Sequence, residues 1–421
     1  MFIVISAKRG FSDTGRSAPQ PMTTITASLR IARRFFIPAA LLGLATFAAA
    51  APADGSASDA TALTSTADGS IPAYQARFGR QRPVIAIVGE NSGTELTDFA
   101  MPYGVLTASG AAEVVTVSTQ PGVLHMRPTL ILQPDVTSGQ FDTRFPEGAD
   151  YVIVPAVMKY NDAALVAWVK AQGVKGSTLV SICDGAVVIA ATGLMDGRRA
   201  TAHWASEKVR RKMFPGVNWV ADVRYISDGK IISTAGISAA LPTSLAIVEA
   251  IAGRDRAVAL ATEFGVADWS AAHTTAPFRP RFGVNLKALI TANYTNHWFH
   301  STEMIGLPVA PGVDEVALAV TADAYSRTGR SMVHALSSST EPVRTRHGLI
   351  VIPDTRPNAA HHMDRMLPEF DATPSGQWFA KSIEGINQLY GRNTAYGVAL
   401  DFEYPMIPQC SQSKAARISA K

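Results

Sequence analysis

The chain has 421 residues, of which 47% are hydrophobic and 17% are charged. This composition supports a sizeable core in roughly two to three domains and excludes wholesale disorder. The net charge of +4 comes without a basic run that could follow a phosphate backbone, so nucleic-acid binding is not expected. The two cysteines, Cys183 and Cys410, cannot form a disulfide framework, and we expect Cys183 to be a free thiol.

The first 51 residues have the pattern of an export signal. Arginines precede the apolar run 35–51, and small residues follow it. A charged region, an apolar region and small exit residues are the three parts of a secretory signal. We therefore expect an exported protein, periplasmic or extracellular. The alternative is that an uncleaved segment 35–53 anchors the chain in a membrane, and no other membrane contact is expected.

Residues 52–80 are small and polar, which predicts a linker. Strands and helices then alternate. Short apolar runs predict strands at 84–88, 114–117, 130–132, 151–154, 179–182 and 230–233, and helices are predicted at 94–109, 162–172, 186–192 and 243–252. The alternation predicts an α/β domain over 81–277. Its doubly wound, flavodoxin-like sheet is mostly parallel and has helices on both faces.

A second, smaller α/β region is predicted over 313–405, between a connection at 278–312 and a tail at 406–421. Its predicted elements are strands at 315–320 and 349–352 and a helix at 376–389. Residues 113–135 align without gaps on 332–354, with Pro-Asp after a strand in both. We interpret this region as a degenerate second copy of the first. It has no cysteine at an elbow, so catalysis there is not expected.

Cys183 lies between an apolar strand and an apolar helix, with Gly185 in the sharp turn after it. A nucleophile in that position sits at the carboxyl end of a parallel strand, where α/β sheets form their ligand crevice. The amino terminus of the following helix lowers a thiol pKa and offers N–H donors to an oxyanion. On the pattern alone, an inert buried cysteine is an equally good interpretation.

Three stretches in order resemble the ThiJ/PfpI superfamily of class I glutamine-amidotransferase-like domains, most closely its branch in AraC-type regulators and isonitrile hydratases. They are residues 93–106, 182–186 and 193–204, and the resemblance extends over about 82–254. It implies a catalytic site of Cys183, Asp98 and His203. Asp98 would have to be protonated to donate to a thiolate, which requires a raised pKa. With such a donor, Cys183 is expected to be partly thiolate near neutral pH.

The sequence departs from the family pattern at two places. Ala156 and Val157 follow the strand where relatives have Pro-Gly-Gly, whose amides help form the oxyanion site. Asp184 follows the cysteine, and an ionised carboxylate turned toward the sulfur would oppose thiol ionisation. Together with Gly185, these residues are predicted to line the site.

The resemblance implies an enzyme that acts through Cys183 on a small carbonyl, amide or isonitrile compound as a hydrolase, hydratase or lyase. The alternative is a non-catalytic ligand-binding or redox-sensing domain on the same scaffold. We expect no cofactor and no metal, because His361 and His362 lack a third spaced ligand and no nucleotide-binding glycine motif follows a strand. The expected partner is a small-molecule substrate or ligand, and a homodimer is left open. No basic recognition helix follows the domain, which is a second reason to expect no nucleic-acid partner.

Overall fold

The computed structural model describes residues 70–354 and 363–406; the predicted export signal, His361, His362 and Cys410 lie outside them. The strands are β1 (Val84–Gly89), β2 (Thr94–Glu95), β3 (Glu113–Ser118), β4 (Leu124–Arg127), β5 (Ile131–Gln133), β6 (Val136–Thr137), β7 (Tyr151–Val154), β8 (Thr178–Ser181), β9 (Arg199–Ala200), β10 (Asn218–Trp219), β11 (Tyr225–Asp228), β12 (Ile231–Thr234), β13 (Glu303–Pro308), β14 (Ser331–Leu336), β15 (Val343–Arg344), β16 (Ile350–Ile352) and β17 (Arg365–Met366).

The helices are α1 (Leu96–Ala108), α2 (Ser138–Arg144), α3 (Ala163–Val174), α4 (Gly185–Ala191), α5 (Glu207–Met213), α6 (Ala240–Ala252), α7 (Arg254–Phe264), α8 (Leu286–Ile290), α9 (Asn296–Phe299), α10 (Glu315–Ser326), α11 (Trp378–Tyr390) and α12 (Arg392–Asp401). A π-helical turn, Thr291–Thr295, joins α8 to α9. Within the described ranges, no helix is both long and apolar enough to cross a membrane.

Seven strands form the main sheet, in the order β11-β12-β8-β7-β1-β3-β6. Neighbouring strands are parallel except β11, which pairs antiparallel with β12. Ile85 and Ile87 of β1 pack into one hydrophobic cluster, whereas Ala86 and Val88 pack into another. Because alternate side chains of a strand point to opposite faces, both faces of this sheet are covered. The predicted doubly wound α/β fold is confirmed.

The second region repeats the first part of the main sheet. β13 pairs in parallel with β14 as β1 pairs with β3. When residues 84–135 are aligned without gaps on 303–354, β1 matches β13, β3 matches β14 and α1 matches α10. Single hydrogen bonds recur at aligned positions. The Met126 N–H donates to the Leu130 carbonyl (2.9 Å), and the Thr345 N–H donates to the Leu349 carbonyl (2.8 Å).

A second block of the repeat lies at the end of each copy, where 236–266 aligns on 374–404. In both blocks a short 3₁₀ turn leads into two helices, α6 and α7 or α11 and α12. A glycine with positive φ joins each pair, Gly253 at 85° and Gly391 at 82°. This conformation favours glycine because a Cβ is strained there. β17 pairs in parallel with β13 as β7 pairs with β1, so the second copy also keeps a counterpart of β7. Among the described residues, it has no counterpart of β8 and α4, the part of the first copy that carries the Cys183 elbow.

The two copies pack about a local two-fold axis. The equivalent strands β5 and β16 pair antiparallel, with Leu132 opposite its own counterpart Val351. α1 crosses α10, where the Thr97 hydroxyl donates to Asp323 (2.7 Å), and Gly104 lies against Val316, the counterpart of Thr97. One hydrophobic cluster contains residues of both copies. The second region is therefore built into the core of the first.

The predicted strand over 315–320 is wrong, because these residues begin α10. Asp314 caps this helix by accepting from the N–H groups of Val316 and Ala317. Every residue of α10 is buried, so its apolar residues show no helical period. A fully buried helix and a buried strand look alike in such a sequence.

Two predicted segments without regular structure are also more ordered than expected. The predicted connection 278–312 contains α8, α9 and β13, so the sheet of the second region begins at Glu303 and not after residue 312. The described part of the predicted linker is docked on the main domain, where Arg80 pairs with Asp150 (2.9 Å). Ile71 and Tyr74 also pack against the hydrophobic cluster of the main domain. The sequence did not predict this docking, because these contacts are isolated residues in a segment of mainly small and polar composition.

Candidate active site

Cys183 occupies the turn between β8 and α4 with a φ of 54°. This left-handed conformation is uncommon for a residue with a side chain. The Cys183 N–H donates to the Thr234 hydroxyl on β12 (3.0 Å). A Cβ on Gly185 would lie 1.9 Å from the Val154 carbonyl oxygen, so the turn requires glycine there. Backbone strain that packing maintains at a strand end is typical of a functional site.

Asp98 lies in the first turn of α1 and is completely buried. Its Oδ2 accepts from the Ala156 N–H (3.1 Å), and its Oδ1 has no hydrogen-bond partner among the residues the structure describes. Burial raises the pKa of Asp98 to about 8. The carboxyl is therefore protonated at neutral pH, which is the state that a donor to the sulfur needs.

The Cys183 side chain is 6% exposed, and burial raises the pKa of its thiol well above the ordinary value. The nearby carboxyls of Asp98, Asp184 and Glu95 act in the same direction, and the Asp184 N–H acts against them. The structure thus points away from the expected thiolate. The short helix α4 offers too little compensation for the loss of water around the sulfur.

His203 is buried, and both of its ring nitrogens have other partners. Nε2 lies 2.8 Å from the carbonyl oxygen of Asp401, and Nδ1 accepts from the Ala205 N–H (3.2 Å). This pattern is that of a neutral ring with its proton on Nε2. His203 therefore has no nitrogen available to take a proton from Cys183, and the arrangement favours a positioning role over the predicted catalytic one.

Asp184 is held on the side of α5. Its Oδ1 accepts from the Ser206 hydroxyl (2.6 Å), and the buried Arg210 donates to the same Ser206 oxygen (2.9 Å). Burial lowers the pKa of Arg210, and the charge of Asp184 opposes this lowering. Asp184, which departs from the family pattern, is therefore held by a local hydrogen-bond network. Its charge still raises the pKa of the Cys183 thiol.

One amide at the predicted oxyanion position, that of Ala156, is already engaged. The Ala156 N–H donates to Asp98, and the Ala156 carbonyl accepts from the Glu95 N–H (2.8 Å). Val157 forms a β-bridge with Thr94. Without the flexibility of Pro-Gly-Gly, this segment pairs with β2 and positions Asp98.

A buried charge cluster, which the sequence analysis missed, joins the second region to the site. Arg327 contacts Glu95 Oε1 (2.6 Å), Asp323 Oδ1 (2.5 Å) and Asp401 Oδ2 (2.7 Å). The charge of Glu95 raises the pKa of the Cys183 thiol, so the cluster lies within electrostatic reach of the sulfur. The available signal was Asp323 and Arg327 at i,i+4 spacing in an otherwise apolar stretch.

Glu403 is another buried charged residue of the second region that contacts the site and that the sequence analysis missed. It has a φ of 54° where the first copy has Gly265, and its side chain is buried. Oε1 accepts from the Trp204 N–H (3.1 Å), and Oε2 lies 2.8 Å from His273 Nε2. Glu403 thus connects the end of the second copy to the segment that carries His203.

The fold and the elbow define a doubly wound α/β domain with a cysteine at the carboxyl end of a central strand. Residues 84–250 match the model of the DJ-1/PfpI family, and this part of the chain is a DJ-1/PfpI domain. The predicted ThiJ/PfpI resemblance is therefore confirmed.

Relatives of both predicted kinds are found. The HTH-type transcriptional regulator CdhR of Pseudomonas aeruginosa is 35% identical over 101 residues, which are 24% of this chain and 30% of that protein. The isonitrile hydratase of Pseudomonas putida is 31% identical over 97 residues, 23% of this chain and 41% of the relative. The chain thus spans less than half the length of either. Drosophila melanogaster DJ-1beta aligns over all of its own chain and 44% of this one, with 19% identity and a TM-score of 0.40.

Proposed function

We propose that the DJ-1/PfpI domain is a cysteine-dependent enzyme that hydrates or cleaves a small, uncharged compound. Cys183 would be the nucleophile and Asp98 the general acid. The observation that carries this proposal is the strained elbow of Cys183 beside a fully buried, protonated Asp98 with an unpartnered oxygen. Such a pair offers sulfur and proton together.

In the proposed step the sulfur attacks an electrophilic carbon of the substrate. The Asp98 carboxyl gives its proton to the substrate atom on which negative charge develops, which is the oxygen of a carbonyl compound or amide and the terminal carbon of an isonitrile. The thiol proton replaces it on Asp98. A thiol with a raised pKa can react in this way because no free thiolate has to form first. The carboxyls of Glu95 and Asp184 near the sulfur disfavour an anionic substrate.

The similarity to an isonitrile hydratase supports hydration as one form of this chemistry. Isonitriles, amides and small carbonyl compounds each have a neutral carbon that a thiol can attack and an atom that must take up a proton, the carbonyl oxygen or the isonitrile carbon. An enclosed thiol and acid suit all three classes. We therefore include all three among the proposed substrates.

The test is turnover of a panel of small isonitriles, amides and aldehydes by the full chain. Cys183→Ser and Asp98→Asn should each lower kcat/KM by about 10² or more. Activity should fall as the pH rises through about 8, where Asp98 loses its proton. Cys410→Ser is the matched control and should keep full activity. Turnover that persists in Cys183→Ser would overturn the proposal.

The second candidate is a ligand-binding domain without turnover. The engaged nitrogens of His203 and the engaged Ala156 amide favour it. Alkylation by iodoacetamide against pH, in a Cys410→Ser background, distinguishes the two. An active site should show Cys183 alkylation that changes in Asp98→Asn. A thiol that stays unreactive in both proteins favours binding only. Redox sensing is the weakest candidate, because oxidants react with the thiolate and the raised pKa of Cys183 disfavours that form.

We also propose that the chain is exported, on the evidence of the charged and apolar segments before residue 52. N-terminal sequencing of protein from periplasmic and membrane fractions tests this. A start near residues 51–54 supports cleavage and export. An intact chain in the membrane fraction supports the anchor, and an intact chain in the cytoplasm overturns both.

A further inference from the structure

Residues 278–300 form a basic segment that packs on the second region. The segment contains Arg279, Arg281 and Lys287 and no acidic residue. From Leu286 to Phe299 it is helical, through α8, the π-helical turn and α9. None of the functions proposed above uses it.

The helical part of this segment has two different faces. Buried on one side are Asn285, Ala288, Leu289, Ala292 and Asn296. Exposed large apolar residues lie on the other side or at the ends, and they are Phe282, Val284, Ile290, Tyr294, Trp298 and Phe299. Trp298 is 81% exposed and Phe299 is 77% exposed. Large apolar residues that are exposed together on a soluble protein mark an interaction site.

Two cations flank the aromatic residues. Arg281 and Lys287 are exposed, and neither side chain has an ion pair within 70–354 or 363–406. Arg279, in contrast, pairs with Glu207 (2.7 Å). Aromatic rings with lysine and arginine beside them are the composition of helices that lie in the headgroup region of a membrane.

We propose that this face, 281–299, docks on a lipid surface with anionic headgroups. Trp298 and Phe299 would enter the headgroup region, and Arg281 and Lys287 would contact the lipid phosphates. The charge argues for lipid over a second copy of the chain. A two-fold contact through this face would bring two positive faces together, whereas an anionic surface complements them.

The test uses the full chain and lipid vesicles with brominated acyl chains, which quench a tryptophan that enters the bilayer. Vesicles of phosphatidylcholine alone are compared with vesicles that also contain phosphatidylglycerol. Trp298 fluorescence, taken as the difference between the natural chain and Trp298→Phe, should be quenched only in the anionic vesicles. This readout reports the position of one side chain, so an independent anchor at 35–53 does not obscure it.

Charge-reversal variants sharpen the test. Lys287→Glu should lower the affinity for the anionic vesicles, measured by quenching, at least fivefold. This factor corresponds to about 1 kcal/mol for each cation near an anionic surface. The exposed Lys170→Glu changes the net charge equally and should have no effect. Equal quenching in both kinds of vesicle, or none in either, would overturn the proposal. Self-association that Trp298→Ser abolishes would instead assign this face to a second copy.

Discussion

Asp98 and Cys183 are both buried groups whose neutral forms the site favours. An acid whose pKa rises on folding binds its proton more tightly in the folded chain, and this costs stability wherever the unfolded chain has already lost the proton. The natural chain therefore carries a pH-dependent cost at Asp98. A buried acid that lowers the free energy of unfolding in this way is a good candidate for a functional residue.

Asp98→Asn should remove this pH dependence. The pKa of Asp98 rises from 3.8 to about 8, so between these values its contribution to the free energy of unfolding falls with rising pH. For one such group the slope is about 1.4 kcal/mol per pH unit. Asparagine keeps an oxygen for the Ala156 N–H. Urea unfolding against pH should show the variant gaining stability relative to the natural chain up to about pH 8 and no further.

The exposed Asp255→Asn is the control for this measurement, and it should leave the slope unchanged. A parallel pH dependence in the natural chain and Asp98→Asn would show that Asp98 is ionised in the folded protein. The proton donor of the proposed mechanism would then be lost, whereas the fold would be unaffected.

The residues that sequence alone could identify are those whose signal is local. Cys183, Gly185 and Asp98 lie within short motifs, and the raised pKa of Asp98 follows from burial in a helix whose residues are mainly apolar. The partners of His203 and the Arg327 cluster could not be predicted. Their contacts join residues that are far apart in the chain and that meet only through the packing of the second copy.

Among the elements, the elbow depends on one close approach between α4 and β7. Gly185→Ala places a Cβ 1.9 Å from a backbone oxygen, which cannot move as a side chain can. We expect a loss of several kcal/mol in the free energy of unfolding, at the upper end for overpacking. Gly139→Ala in α2 meets no atom within 4 Å and should be neutral or slightly stabilising. Urea unfolding of both variants measures the difference.

If Gly185→Ala is as stable as Gly139→Ala, the elbow has another accessible conformation. Its strain would then be no evidence of function. Activity in a stable Gly185→Ala would weigh against the proposed geometry of Cys183 in the same way.

The elements of the main sheet were predictable because each strand is a short apolar run between turn residues. α10 was not, because a helix buried on all sides has no polar face to reveal its period. β13 was missed for a related reason: its Met-Ile-Gly-Leu-Pro sequence contains the two residues that usually interrupt a strand. The aligned pair 113–135 and 332–354 was the one signal that pointed to the correct topology.

For the whole molecule, the local two-fold axis determines what can fold alone. The hydrophobic cluster formed by α1, α6 and the first copy also contains α10 and α11. A fragment of 81–277 would expose the α1 face that α10 covers. The contacts between the copies therefore favour one cooperative folding unit that contains both the predicted domain 81–277 and the second copy.

The α1–α10 crossing offers the sharpest measurement of that cooperativity. A Cβ on Gly104 would lie 2.6 Å from Val316 Cγ2, so Gly104→Ala should cost about 1–3 kcal/mol of unfolding free energy. The added Cβ would also lie 2.8 Å from Glu315 Oε1. Because the shorter of the two contacts is with a methyl group of Val316, Val316→Ala in the same chain should recover part of that cost as a coupling energy of about 0.5 kcal/mol or more. Trp168 in the first copy and Trp378 in the second should report the same urea midpoint in every variant. Separate midpoints, or strictly additive effects of the two substitutions on the free energy of unfolding, would mean that the two copies fold independently. The Arg327 cluster would then form only when the two folded copies dock on each other.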